Sequence, residues 1–193
     1  MKVPLRFQVT EFDCGTIALL NAFSYLFDRE DIPAELVRVI HEYTLDCYDE
    51  NGNLGQGGTS KEAINMLTKW MENFAKKNTF NIKCERFVGD DVTIDLIKKQ
   101  MTKNTAILVR SWLTGIEHYV IITNIDDNYV YIFDSYFLDE TYYDKDKEVE
   151  IIFDEPFKFN RRIKISRLNS ETKKDFSLGL LANREILVIN KTK

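Results

Sequence analysis

Histidine is nearly absent from this chain: His41 and His118 are the only two. That excludes a histidine-rich metal site and leaves few candidates for an imidazole base. The three cysteines, Cys14, Cys47 and Cys84, are odd in number and far apart. Without close cysteine or histidine neighbours they form no zinc-finger pattern, and they suggest no disulfide framework. No apolar run approaches the roughly 20 residues needed to cross a bilayer. Met1-Lys2-Val3-Pro4-Leu5-Arg6 lacks the pattern of a secretory signal. Reduced thiols in a cytoplasm are therefore the expectation. Basic residues are also in deficit, 26 Lys and Arg against 31 Asp and Glu, for a net charge of −5. Nucleic acid is a poor partner for such a chain, because its binding depends on phosphate neutralisation. Repeats, low-complexity tracts and a proline- or serine-rich linker are missing as well.

What is present describes an ordinary globular chain, 44% hydrophobic and 30% charged. Its 193 residues are read as one domain, 1–193, able to build a core without disulfides or metal. Residues 1–105 read as mainly helical. Cys14–Phe27 is apolar on most sides, so it predicts a central helix whose Asn21 and Ser24 need hydrogen-bond partners. Ala34–Tyr43, entered through Pro33, is amphipathic. His41 lies beside its apolar stripe and reads as a packing or surface residue. Thr59 with Glu62 makes a capping-box pattern for a helix running to about Lys76, and a short helix is predicted over Thr93–Met101.

Residues 106–193 read as mainly β. Strands are predicted at 106–109, 119–123, 129–133, 150–153, 162–166 and 186–189, with a short helix from Ser170 to Phe176. The charged stretch Asp139–Lys147 reads as a solvated connection. Helices followed by antiparallel strands make an α+β fold.

The chemistry concentrates in Gln8-Val9-Thr10-Glu11-Phe12-Asp13-Cys14-Gly15. A cysteine at a helix start sits in the positive end of the dipole, which favours the attacking thiolate. Gln8 carries an amide that can donate to a developing oxyanion. His118 opens one apolar strand and Asp134 closes the next. If Asp126-Asp127-Asn128 is a three-residue turn, Ile125 pairs with Tyr129, and residues 118, 120, 134 and 136 share one sheet face. His118 and Asp134 are then diagonal neighbours across the strands, about 7–8 Å apart between backbone positions. A two-residue turn would put Asp134 on the opposite face, so an odd-length turn is predicted. The glycine-rich loop 49–58 lacks the Lys-Ser or Lys-Thr ending of a phosphate-binding loop. It reads either as a flexible gap where an extended substrate lies against backbone or as an ordinary solvent loop; Gly57, Gly58, Asp13 and Glu117 are the candidate substrate-binding residues.

This order of residues resembles the papain-like cysteine peptidases, and among them the double-glycine leader peptidases that process bacteriocin precursors. The resemblance spans residues 1–137. It implies a papain-like fold, with a buried nucleophile helix packed on a C-terminal antiparallel sheet. It implies Cys14 as nucleophile, His118 as general base and acid, Asp134 as the residue orienting the imidazole, and Gln8 in the oxyanion hole. Family members often carry proline after the aspartate, where Ser135 stands here. The transporter-linked members continue into membrane and ATP-binding domains that this sequence does not contain. The function so implied is a thiol-dependent hydrolase acting on a peptide or small amide, with no cofactor and no metal. A papain-like acyltransferase using the same thioester, or a peptide-binding domain without turnover, stand as alternatives.

Overall fold

The computed structural model describes residues 1–193. Five α-helices and seven strands alternate only in part. Helices α1 (Cys14–Leu26), α2 (Ala34–Tyr43) and α3 (Lys61–Asn78) come first, then strand β1 (Ile82–Val88) and helix α4 (Ile94–Gln100). Strands β2 (Thr105–Leu113), β3 (Ile116–Ile125), β4 (Tyr129–Phe133), β5 (Val149–Ile151) and β6 (Arg161–Lys164) follow. A single helical turn, α5 (Ile165–Leu168), and strand β7 (Glu185–Lys191) complete the chain. All seven strands form one sheet in the order β1-β7-β2-β3-β4-β6-β5, every pairing antiparallel. The fold is α+β. No helix is long and apolar enough to cross a membrane.

The sheet separates two cores, as strand periodicity requires. On one face Ala106, Leu108, Tyr119, Ile121, Leu187 and Ile189 pack against α1, α2 and α3; on the other Ile107, Val109, Val120, Ile122, Ile186 and Val188 meet α4 and the C-terminal segments. Helix α1 is buried on nearly all sides. Its Asn21 finds the partners that burial demands: Arg6 N–H donates to Oδ1 at 2.8 Å, and Nδ2 donates to Arg6 C=O at 2.9 Å. The chain leading to Gln8 is thereby tied to the helix that carries Cys14.

Several expectations need correction. Ser60, not Thr59, caps α3, its hydroxyl accepting from Ala63 N–H at 3.0 Å. Strand β1 has no counterpart in the sequence reading, although Ile82 and Cys84 are buried and Lys83 is exposed between them. The helix expected from Ser170 is a series of turns, and Phe176 has a left-handed φ of 64°. Asp139–Lys147 is not wholly solvated, because Tyr143 packs on Phe176 and donates to Asp175 at 2.8 Å. His41 needs no correction: of the packing and surface readings it takes the second, exposed on the last turn of α2.

The hairpin is the most instructive difference. Ile125 pairs with Val130, not Tyr129, so the loop 126–129 has an even number of residues. That alone would place Asp134 on the wrong face. The register shifts between Ile122 and Asn124, however, and Ile122 pairs with Ile132 and Ile121 with Phe133. The extra residue at Thr123 is a β-bulge that restores the parity the turn had reversed.

Candidate active site

The Cys14 side chain stands at the first turn of α1. Asp13 precedes it at the N-cap but makes no side-chain cap. Its Oδ1 accepts from Thr10 Oγ1 at 3.0 Å and Thr10 N–H at 3.3 Å, which stiffens the turn before the cysteine. Gly15 is required at the next position, since a Cβ there would lie 2.6 Å from Thr59 Oγ1. The cysteine–glycine pair thus lets the segment carrying Thr59 close on the start of α1.

His118, on β3, and Asp134, just beyond β4, are both buried, and His118 Nε2 lies 2.7 Å from Asp134 Oδ1. Asp134 Oδ1 also accepts from Tyr136 N–H at 2.9 Å. Burial lowers the imidazole's proton affinity, but the Asp134 carboxylate outweighs it and the neighbouring Cys14 adds to the effect. The His118 pKa is raised to about 10. With Nε2 turned to the carboxylate, Nδ1 is the ring nitrogen left for the thiol.

Asn160 grips Asp134 from behind. Asp134 N–H donates to Asn160 Oδ1 at 2.8 Å, and Asn160 Nδ2 donates to Asp134 C=O at 2.7 Å. Gln8 is joined to the residue after the aspartate by two bonds. Gln8 N–H donates to Ser135 C=O at 2.9 Å, and Ser135 Oγ donates to Gln8 Oε1 at 2.8 Å. The Thr10 carbonyl, which can only accept, sets which end of the amide is nitrogen, and the serine hydroxyl then donates to the oxygen. Nε2 donates one proton to Thr10 C=O at 2.8 Å, leaving the other N–H.

A cavity of about 620 Å³ opens beside Cys14. Gly57, Gly58 and Glu117 line it, with Glu11, Arg110 and Tyr119. Gln8, Asp13, His118 and Asp134 are not on its wall. Gly57 tolerates no side chain, since a Cβ would run into the Tyr48 carbonyl, and Gly58 holds a left-handed φ of 85°. Cys47 also reaches the cavity, but its thiol pKa is raised by burial and by Asp46. Cys84 lies in the core, and burial pushes it up to about 12. All three thiols are free, and no cluster of potential metal ligands is present.

Sequence reading missed Ser135 as a partner of Gln8, and it missed Asn160 and Arg161 altogether. One signal was available: Arg161 alternates with the inward Ile163 along a short strand, an unusual place for a charge.

The profile of the Peptidase_C39 like family matches residues 1–156. The chain belongs to this family. No curated protein matches it in sequence. The C39-like chain is similar to the crystal structure of the peptidase domain of Streptococcus ComA, a bi-functional ABC transporter involved in a quorum-sensing pathway. Identity is 12%, 98% of each chain is covered and the TM-score is 0.49.

Proposed function

We propose that this C39-like protein is a thiol hydrolase that cleaves an amide bond in a peptide or small amide. The observation that carries the reading is the buried His118–Asp134 pair, 2.7 Å apart, with Cys14 close enough to affect the imidazole. In the first step the Cys14 sulfur attacks the carbonyl carbon, and an S–C bond forms as the carbonyl oxygen takes up the negative charge. The Cys14 backbone N–H and the remaining N–H of Gln8 are the candidate donors to that oxygen. The tetrahedral species then expels the amine, which takes a proton from the His118 imidazolium. Water attacks the thioester, gives its proton to His118, and the S–C bond breaks to release the acid. Asp134 holds the ring with Nδ1 toward the sulfur and keeps its own charge. The substrate lies in the cavity beside Cys14, where Gly57 and Gly58 offer bare backbone and Glu117 a charge at the rim.

Iodoacetamide at near-neutral pH tests the nucleophile. Cys14 is expected to label ahead of Cys47 and Cys84, and Cys14→Ala is expected to abolish turnover while the protein still folds. Equal labelling of the three, or full activity in Cys14→Ala, defeats the assignment.

A further inference from the structure

The two carboxylate oxygens of Asp134 are treated unequally. Oδ1 accepts from His118 and from the Tyr136 backbone, whereas Oδ2 is sealed from solvent and has no hydrogen-bond partner. Arg161 Nη2 stands 3.8 Å from Oδ2, and both side chains are completely buried. The guanidinium is fixed by carbonyls: Nη1 donates to Asn160 C=O at 2.9 Å and Nη2 to Tyr136 C=O at 3.1 Å. Its Nε has no partner. Holding a loop does not require a buried cation, since a neutral donor would serve those carbonyls at far lower desolvation cost. The charge itself is what the position uses.

We propose that Arg161 is a positioning residue of the Cys14–His118–Asp134 site, its guanidinium balancing the Asp134 carboxylate behind the histidine. The proposal rests on the catalytic reading above. In the reactive arrangement of thiolate, imidazolium, carboxylate and guanidinium, the charges alternate along the row and sum to zero. Without the guanidinium the row carries a net negative charge out of contact with water. The imidazole–carboxylate pair then holds its proton more tightly, and the thiolate forms beside an uncompensated anion. Both effects move the site's titration to higher pH. Asn160 and Arg161 lie beyond the 1–156 stretch that matches the family. The C-terminal part of the chain thereby supplies two of the groups that hold the acid.

Other titratable groups also bear on this row. Tyr143, bonded to Asp175, acts on Arg161; Tyr136, with Glu11, lies near Asp134; and Tyr119, with Glu185 and Arg110, lies near Cys14. Replacing Arg161 leaves each of them in place.

The test is the pH profile of Cys14 alkylation by iodoacetamide in the wild type, Arg161→Gln and Arg161→Lys. The glutamine variant is expected to shift the rising limb upward by about one pH unit, a tenfold lower rate at a given pH on that limb. The lysine variant, which keeps the charge, is expected to follow the wild type. A folded Arg161→Gln protein with the wild-type profile overturns the proposal, as does a lysine variant displaced as far as the glutamine variant is expected to be. Should Arg161→Gln fail to fold, Arg161→Met, also neutral and similar in length, is measured in its place, with the same shift expected and the same wild-type profile overturning the proposal. Failure of the catalytic reading looks different, because wild-type Cys14 would then show no preferential labelling at all.

Discussion

Replacing His118 by glutamine has a pH-dependent effect on stability whose sign and size follow from the buried pair. In the unfolded chain the imidazole titrates near 6.5, and in the fold it titrates at about 10. The folded state therefore binds the proton more tightly, and the stabilisation is fully present below pH 6.5. It is lost as the pH rises through 10, where neither state keeps the proton. The difference of about 3.5 units, at about 1.4 kcal/mol per unit, corresponds to about 5 kcal/mol across that window. The assay is urea unfolding of the wild type and His118→Gln at closely spaced pH values from 6 to 10. Wild-type stability minus variant stability is expected to fall steadily over the range, by roughly 1 kcal/mol or more per pH unit in its middle. A difference that stays level with pH refutes the reasoning, because an imidazole held neutral by burial gives no such slope.

Other perturbations separate the roles of the surrounding residues. Gly15→Ala drives a Cβ to 2.6 Å from Thr59 Oγ1 and should cost about 1–3 kcal/mol in thermal or urea unfolding. Adding Thr59→Gly should recover part of that loss, so the pair will be non-additive. Asn160→Ala leaves the buried Asp134 N–H and C=O without their side-chain partner, at about 1–3 kcal/mol for each. The same variant should slow Cys14 alkylation, and a reagent rate equal to wild type would count against its part in aligning the acid. Gln8→Ala should lower kcat about 100- to 1000-fold. Alkylation, which develops no oxyanion, should be unaffected by it. Equal losses in both assays would mean that Gln8 supports the thiol and not the oxyanion.

The extent to which the site was legible from sequence varied with the range of the interaction. Cys14 at the start of an apolar helix could be read locally, because burial and the following Gly15 both leave traces within a few residues. The facing of His118 and Asp134 was anticipated from parity, yet by way of a three-residue turn that the hairpin does not have. The bulge at Thr123 compensates the even loop, and nothing in Ile122-Thr123-Asn124 announces it. Thr59 and Ser60 are chemically close enough that either could cap α3, and packing against Gly15 claims the threonine. Strand β1 was missed because its alternation lasts only from Ile82 to Glu85 before Arg86 breaks it, on a half-open edge. Asn160 and Arg161 were out of reach for a different reason. Their meaning depends on β6 pairing with β4, across a connection of more than twenty residues whose path no local pattern specifies.

The place of β7 in the sheet sets the order in which the molecule can be assembled. This strand follows the other six in sequence but lies between β1 and β2, one place in from the sheet's edge. It brings Glu185, whose buried carboxylate receives Arg86 from β1 and Tyr119 from β3. Until β7 has left the ribosome, β1 has no neighbour and β2 presents a long apolar edge. The intermediate state is then open to pairing with other chains. Completion depends on contacts between distant parts of the sequence, which makes the last step slow. A nascent chain ending before residue 185 already carries the residues of the Cys14 helix and of the His118 hairpin. The sheet that holds them together closes only after translation has passed them by.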